Sequence, residues 1–267
     1  MIPVYLALML LPFLAKPFQM TQGQPAFREV ARFDAEEAHQ GVAVDEHHFY
    51  AIADRRIGKY DKKTGRLVVT WEDSEDGSII HLDSGMIWNG KLFCAHSNYP
   101  GVPMTSSIEI WDTDSLKHIG THSFGIDRGS CTWLDRYNGF WWAAFAHYNK
   151  LSDKTHTDNT YSTLVKFDEN WQALEAWVYP PEILERLEGM SNSGGSWGPD
   201  GRLYLTGHDR GELYAVRLPS AGSALVLEEI IPADFHGQGI AWDRKKPGQL
   251  YTISRANHEV IIFEFQH

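Results

Sequence analysis

The sequence predicts an all-β fold, a five-bladed β-propeller closed by its N-terminal strand, and three observations predict it. A small residue leading into an apolar run recurs at Gly41, Gly85, Ser130, Gly194 and Gly239, in steps of 44, 45, 64 and 45 residues. A period of about 40–50 residues marks propeller blades. Each recurrence is followed by further short apolar runs separated by turns rich in Asp, Asn and Gly, the pattern of antiparallel strands. The outermost strand is missing from the last repeat, and a matching run, residues 27–33, stands ahead of the first.

Within each repeat the elements follow in order. The innermost strands carry Val42-Ala43-Val44, Met86-Ile87-Trp88, Cys131-Thr132-Trp133, Ser196-Trp197 and Ile240-Ala241-Trp242. Second strands follow at Phe49-Tyr50-Ala51-Ile52, Leu92-Phe93-Cys94-Ala95, Trp141-Trp142-Ala143-Ala144, Leu203-Tyr204-Leu205-Thr206 and Leu250-Tyr251-Thr252-Ile253. Their aromatic and β-branched content suits buried strands. Third strands end at Asp61, Asp112, Asp168, Arg217 and Glu264, and fourth strands begin at Leu67, His118, Leu174 and Leu225. The run 27–33 supplies the fifth outer strand and removes the edge that an open array would leave. The long third step holds two insertions, a polar one at 150–162 and one at 180–190, where PPEILERLEGM reads as a short helix with Pro at its start. The aligned Trp88, Trp133, Trp197 and Trp242 read as packing between blades rather than as sugar platforms.

Composition agrees with one propeller domain over residues 25–267. Hydrophobic residues make up 43% and aromatic residues 13% of 267 positions, ample for a packed core. A formal charge of -11 argues against nucleic acid as a partner, because that binding needs clustered Lys and Arg against phosphates. Residues 1–24 read as a signal peptide or short anchor plus linker: MIPVYLALMLLPFLA is an apolar run of signal length, too short for a stable membrane span. The expected location is periplasmic or secreted. With no exposed apolar stripe in the pattern, a monomer is expected. Cys94 and Cys131 fall inside apolar strands and read as buried thiols rather than a bridge.

Chemistry is expected at one mouth of the channel. Antiparallel strands alternate in direction, so the loop entering the first strand and the loop joining second to third open on the same face. Those loops carry His39, His81, His96, His147, His208 and His236, six of the thirteen histidines. His96, His147 and His208 stand just past equivalent second strands, so the ring would gather them as ligands for a divalent metal, Mn, Fe or Zn, with His81 as a further ligand. Two alternatives stay open: a metal-free catalytic or binding cluster, and plain hydrogen bonding of each imidazole to backbone. His39, His236, Asp54 and Asp209 are the candidate proton-transfer residues, and Asp83 and Asp127 lie in the same loops. Arg55, Arg128, Arg210 and Arg255 suit a carboxylate held bidentately, with Asn192 and Gln238 as polar binding groups. A small molecule or an oligosaccharide is the expected substrate. Among the signatures of other chemistries, GxSxG, the P-loop, GxGxxG and HExxH do not occur.

The phrases HSNYPGVPMTSSIEIWD, FAHY, SNSGGSWGPDG, GHD and HGQGIAWD resemble those of a group of small bacterial propellers loosely labelled cycloisomerase-like, across residues 39–264. That resemblance implies the fold and assigns no reaction. In design, without alignable motifs, the chain is also similar to oligogalacturonate lyases, propellers of more blades in which a histidine-bound cation acidifies the proton beside a uronate carboxylate. Taken with the mouth, these likenesses imply an exported, metal-assisted lyase or isomerase acting on an acidic carbohydrate or related small molecule. Two other classes stay open, a non-enzymatic carbohydrate- or ligand-binding propeller of the lectin kind and a glycoside hydrolase using Asp54, Asp83 and Asp209. Polar residues that differ from blade to blade and crowd the channel favour the enzyme.

Overall fold

The computed structural model describes residues 27–265. The first strand, β1 (Phe27–Asp34), belongs to the last blade. Blade 1 is β2 (Gly41–Val44), β3 (His48–Ala53), β4 (Arg56–Asp61) and β5 (Leu67–Glu72), and blade 2 is β6 (Leu82–Trp88), β7 (Lys91–Ser97), β8 (Ser106–Asp112) and β9 (His118–Gly125). Blade 3 is β10 (Ser130–Tyr137), β11 (Phe140–Ala146), β12 (Thr163–Phe167) and β13 (Ala173–Val178). Blade 4 is β14 (Gly194–Trp197), β15 (Leu203–Thr206), β16 (Glu212–Arg217) and β17 (Val226–Pro232). Blade 5 is β18 (Ala241–Trp242), β19 (Gln249–Ser254) and β20 (Glu259–Phe265), with β1 outside.

The expected closure is present: β1 pairs antiparallel with β20 from Phe27 against Phe265 to Asp34 against Glu259. Phe27 packs its ring 5.9 Å from that of Trp242 and 5.2 Å from that of Phe265, so apolar burial reinforces the ladder. Blade 5 is therefore built from both ends of the described chain, and opening it would expose an apolar interface as well as a strand edge.

Inter-blade packing follows from the tryptophans at three of the four aligned positions. Trp133 is fully buried, and Gly195 of the next blade must lack a side chain because a Cβ there would lie 2.3 Å from the indole. Trp197 stacks on Tyr137 at 4.5 Å, and Trp242 meets Tyr204 edge-on at 5.2 Å. Trp88 departs from the expectation. It ends β6 at the tip of the Asn89-Gly90 hairpin, is 41% exposed, and stacks under the Arg136 guanidinium at 4.7 Å instead of entering an interface. Insertion 150–162 folds as short helical turns that include α1 (Ser152–Thr155), and the second insertion contains the expected helix, α2 (Pro181–Arg186), whose Ile183 is buried beside Trp177 and Tyr179. Cys94 and Cys131 are free buried thiols. Among the described residues no helix is long and apolar enough to cross a membrane, and the apolar run 1–15 lies outside them.

Two features make the channel a blind pocket. At its waist the innermost strands touch: a Cβ on Gly239 would lie 2.7 Å from the Gly41 Cα and 2.6 Å from the Ser84 Oγ, so no side chain fits there. Toward the far end, the buried Asp135 accepts from Arg244 Nη2 at 2.6 Å, from Ser196 Oγ at 3.0 Å and from the Trp197 amide at 2.8 Å, which ties blades 3, 4 and 5 into a plug.

Candidate active site

A cavity of about 70 Å³ lies at the open mouth, and the loops predicted to meet there supply its walls. Its chemical centre is a chain of three groups from blades 1 and 2. His81, entering β6, places Nδ1 2.9 Å from Asp54 Oδ1 and Nε2 3.6 Å from Asp83 Oδ2. Asp54, in the turn after β3, also accepts from Gln40 Nε2 at 2.6 Å, so the carboxylate that orients the imidazole is itself held. Asp83 is only 4% exposed, and its Oδ2 has no hydrogen-bond partner among the described residues.

Electrostatics separates the two carboxyls. Burial raises the pKa of Asp83 to about 7; His81 and Arg255 pull it down, while the charge of Asp54 pushes it further up. Asp54 is also partly buried, which works against its charge, but the hydrogen bond and charge of His81 outweigh this and lower its pKa. For His81 burial opposes the imidazolium, yet the Asp54 hydrogen bond and the Asp83 and Asp54 charges outweigh it and raise the pKa. Asp83 and His81 are thus coupled electrostatically, the charge of each favouring the charged form of the other.

Arg255, from the loop after β19, forms the cationic part of the lining. Its Nε donates to His39 Nε2 at 3.2 Å, and its Nη1 lies 3.5 Å from His208 Nε2. Burial, then the charge of Arg255, lowers the pKa of His39, so this imidazole is neutral and accepts. Among the described residues the guanidinium forms no ion pair with a carboxylate. Gln238, held at φ 66°, donates to the His208 carbonyl at 3.0 Å and lines the same cavity. Tyr99 packs on His81 with ring centroids 5.2 Å apart and on Tyr148 at 4.6 Å, making one wall aromatic. Tyr99, Tyr148 and Gln40 were not singled out by the sequence. Tyr99 lies inside the HSNYP phrase, but nothing in its pattern says that it faces a histidine.

The other predicted residues have different partners. His96 is buried; its Nε2 accepts from the Ile80 amide at 3.2 Å, and its Nδ1 lies 2.9 Å from Ser107 Oγ, which donates to the buried Glu109 at 2.6 Å. His147 Nδ1 pairs with Thr157 Oγ1 at 2.7 Å. His208 Nδ1 lies 2.8 Å from Asp209 Oδ1, a close contact without hydrogen-bond alignment. His236 Nδ1 meets the Asp209 carbonyl at 3.1 Å outside the cavity, and the Asp209 side chain is exposed. Arg55 donates to the Ser74 and Glu75 carbonyls, Arg128 stacks over Phe167 at 5.4 Å, and Arg210 pairs with Glu188. Asn192 is saturated by Trp133 Nε1 at 2.6 Å, Tyr179 Oη at 2.8 Å and the carbonyls of Gly194 and Thr206.

These partners decide the fit of a divalent metal to His96, His147, His208 and His81. Both nitrogens of His96 are engaged, a guanidinium stands at His208 Nε2, and His81 sits between two carboxylates. Among the described residues no group of three or more His, Cys, Asp or Glu is arranged to hold a metal ion. The tris-imidazole set read from the repeat is not assembled, because equivalent positions are pulled to local partners in each blade.

No protein-family model matches the chain, and no curated protein matches it in sequence. Among solved structures it is similar to the hydrazine synthase of Kuenenia stuttgartiensis, with a TM-score of 0.50 and 10% identity over 84% of this chain and 70% of that one. At that identity the likeness concerns the fold alone, so the propeller has a solved counterpart and the chemistry of the mouth rests on its own residues.

Proposed function

We propose that this protein is an enzyme moving a proton at the carbon beside the carboxylate of a small acidic substrate, a lyase or isomerase by reaction class. The observation that carries the reading is that His81, held by Asp54, and Asp83 line the same cavity as Arg255, an arginine that forms no ion pair with a carboxylate among the described residues. Arg255 takes the substrate carboxylate and stabilises the negative charge that develops on it as the adjacent proton leaves. Asp83, with its pKa near 7, is available as base at neutral pH and is strong enough to accept the proton in a buried site. His81, oriented by Asp54, supplies a proton to a second atom, the leaving oxygen in an elimination or the neighbouring carbon in an isomerisation. No step here is routed through a metal. The same proposal takes the apolar run 1–15 as an export signal, placing the enzyme outside the cytoplasm; fractionation of cells expressing the full chain checks this.

The deciding experiment is proton exchange in D2O, followed by NMR on a panel of uronates and aldonates. Wild-type protein is expected to wash out the proton beside the carboxylate of at least one of them, and Asp83→Asn and Arg255→Ala are expected not to. Binding without exchange anywhere in the panel would replace the enzyme with a ligand-binding propeller.

A further inference from the structure

Beside the mouth cavity, and sharing His208 and Arg255 with it as wall, lies a second, larger cleft that no part of the proposed chemistry uses. This cavity, of about 480 Å³, runs outward between blades 4 and 5. Away from Arg255 its walls carry Asp234, His236, Ser254 and Asn257, whose side chains are polar and partly or fully exposed. None of Asp234, Ser254 and Asn257 has a side-chain hydrogen bond within the protein among the described residues, and His236 uses only Nδ1. The charge is graded: cationic at Arg255, where the cleft adjoins the mouth, and acidic along Asp209 and Asp234, the other lining cation, Arg32, being already paired with Glu29 and Glu259. A carboxylate is favoured at one end and penalised along the arm.

We infer that the cleft between blades 4 and 5 is a second subsite for a neutral, hydroxyl-rich arm, so that the substrate is a sugar acid glycosidically extended by an uncharged sugar. This rests on the mouth binding an acid head. The head fills the 70 Å³ mouth with its carboxylate on Arg255, and the arm's hydroxyls meet the free donors and acceptors of Asn257, Ser254 and Asp234 in the 480 Å³ cleft. Each pairing replaces water without burying an unmatched charge.

Calorimetric titration of the wild-type protein with gluconate and with lactobionate, the same acid carrying a galactose arm, tests this. Lactobionate is expected to bind about tenfold more tightly. Asp234→Ala/Asn257→Ala is expected to erase that advantage while gluconate binds as before, and Arg255→Ala to weaken both. Equal affinity of the two probes for the wild type would overturn the arm subsite and leave the acid-binding mouth standing, as would an advantage that survives in the double variant. Failure of both probes to bind the wild type, or binding unaffected by Arg255→Ala, would overturn the mouth reading and the inference with it, whereas failure of lactobionate alone would overturn the arm subsite.

Discussion

Asp83 shows how far burial, with a neighbouring charge, can change a side chain. A carboxyl of ordinary pKa near 4 would be a poor base at neutral pH; enclosed beside a second carboxylate, it holds its proton to about pH 7. Asp83→Asn is expected to lower the exchange rate by about 10²–10⁴-fold, the usual worth of a positioned base, in the NMR assay. The same shift has a sign for stability. The folded state binds a proton more tightly than the unfolded chain does, so the stabilisation is complete below about pH 4 and is lost as pH rises through about 7. Melting followed from pH 5 to pH 8 is expected to show wild type losing stability relative to Asp83→Asn; parallel curves would place Asp83 in an ordinary solvated setting. Asp54→Asn removes the partner that raises the His81 pKa, so NMR titration of His81 in that variant is expected to give a lower midpoint than in wild type.

The repeated strands do two jobs at once, packing blade to blade and aiming their loop ends at the axis. Trp133 serves the first: it fills the space over Gly195 and donates to Asn192 at 2.6 Å, so Trp133→Ala is expected to cost about 3–5 kcal/mol in urea denaturation. Lys62 joins blade 1 to blade 5 through a buried ion pair with Asp243 at 2.5 Å. Lys62→Met would leave that carboxylate without its partner and is expected to cost about 3–5 kcal/mol by the same measurement. The order and type of strands could be read from the repeat, because apolar runs of fixed spacing and Asp/Asn/Gly turns are local properties. The fate of Trp88 could not. Its aligned position is the same as that of Trp133, but a two-residue hairpin ends β6 at that residue, and the neighbouring blade offers a guanidinium instead of an aromatic slot.

For the whole molecule, ring closure is the main structural commitment. Deleting residues 1–34 removes β1, exposes the edge of β20 and uncovers Trp242, so the truncated chain is expected to lose cooperative melting by circular dichroism and to associate on size exclusion. The ring also sets the site. Loops up to 201 residues apart in sequence, at Asp54, His81, His208 and Arg255, meet at one mouth because blade 5 returns to blade 1. At the opposite end Arg244 on Asp135 ties blades 3 and 5 together, while the Asp83 shift depends on that residue's own burial.

By itself the sequence determined the blade count, the strand order, the N-terminal closure, and the face on which polar loops gather, since all four follow from a short-range repeat and the alternation of antiparallel strands. It also placed Arg255, Gln238, His81 and Asp54 in loops at the same end of the channel. Only the tertiary structure decided what each of them does there. His96 turned into a blade-2 network through Ser107 and Glu109, His147 turned to Thr157, and His81 was left between two carboxylates. The roles of these histidines depend on which partner lies within about 3 Å and how much water remains around it, and neither quantity is carried by spacing along the chain.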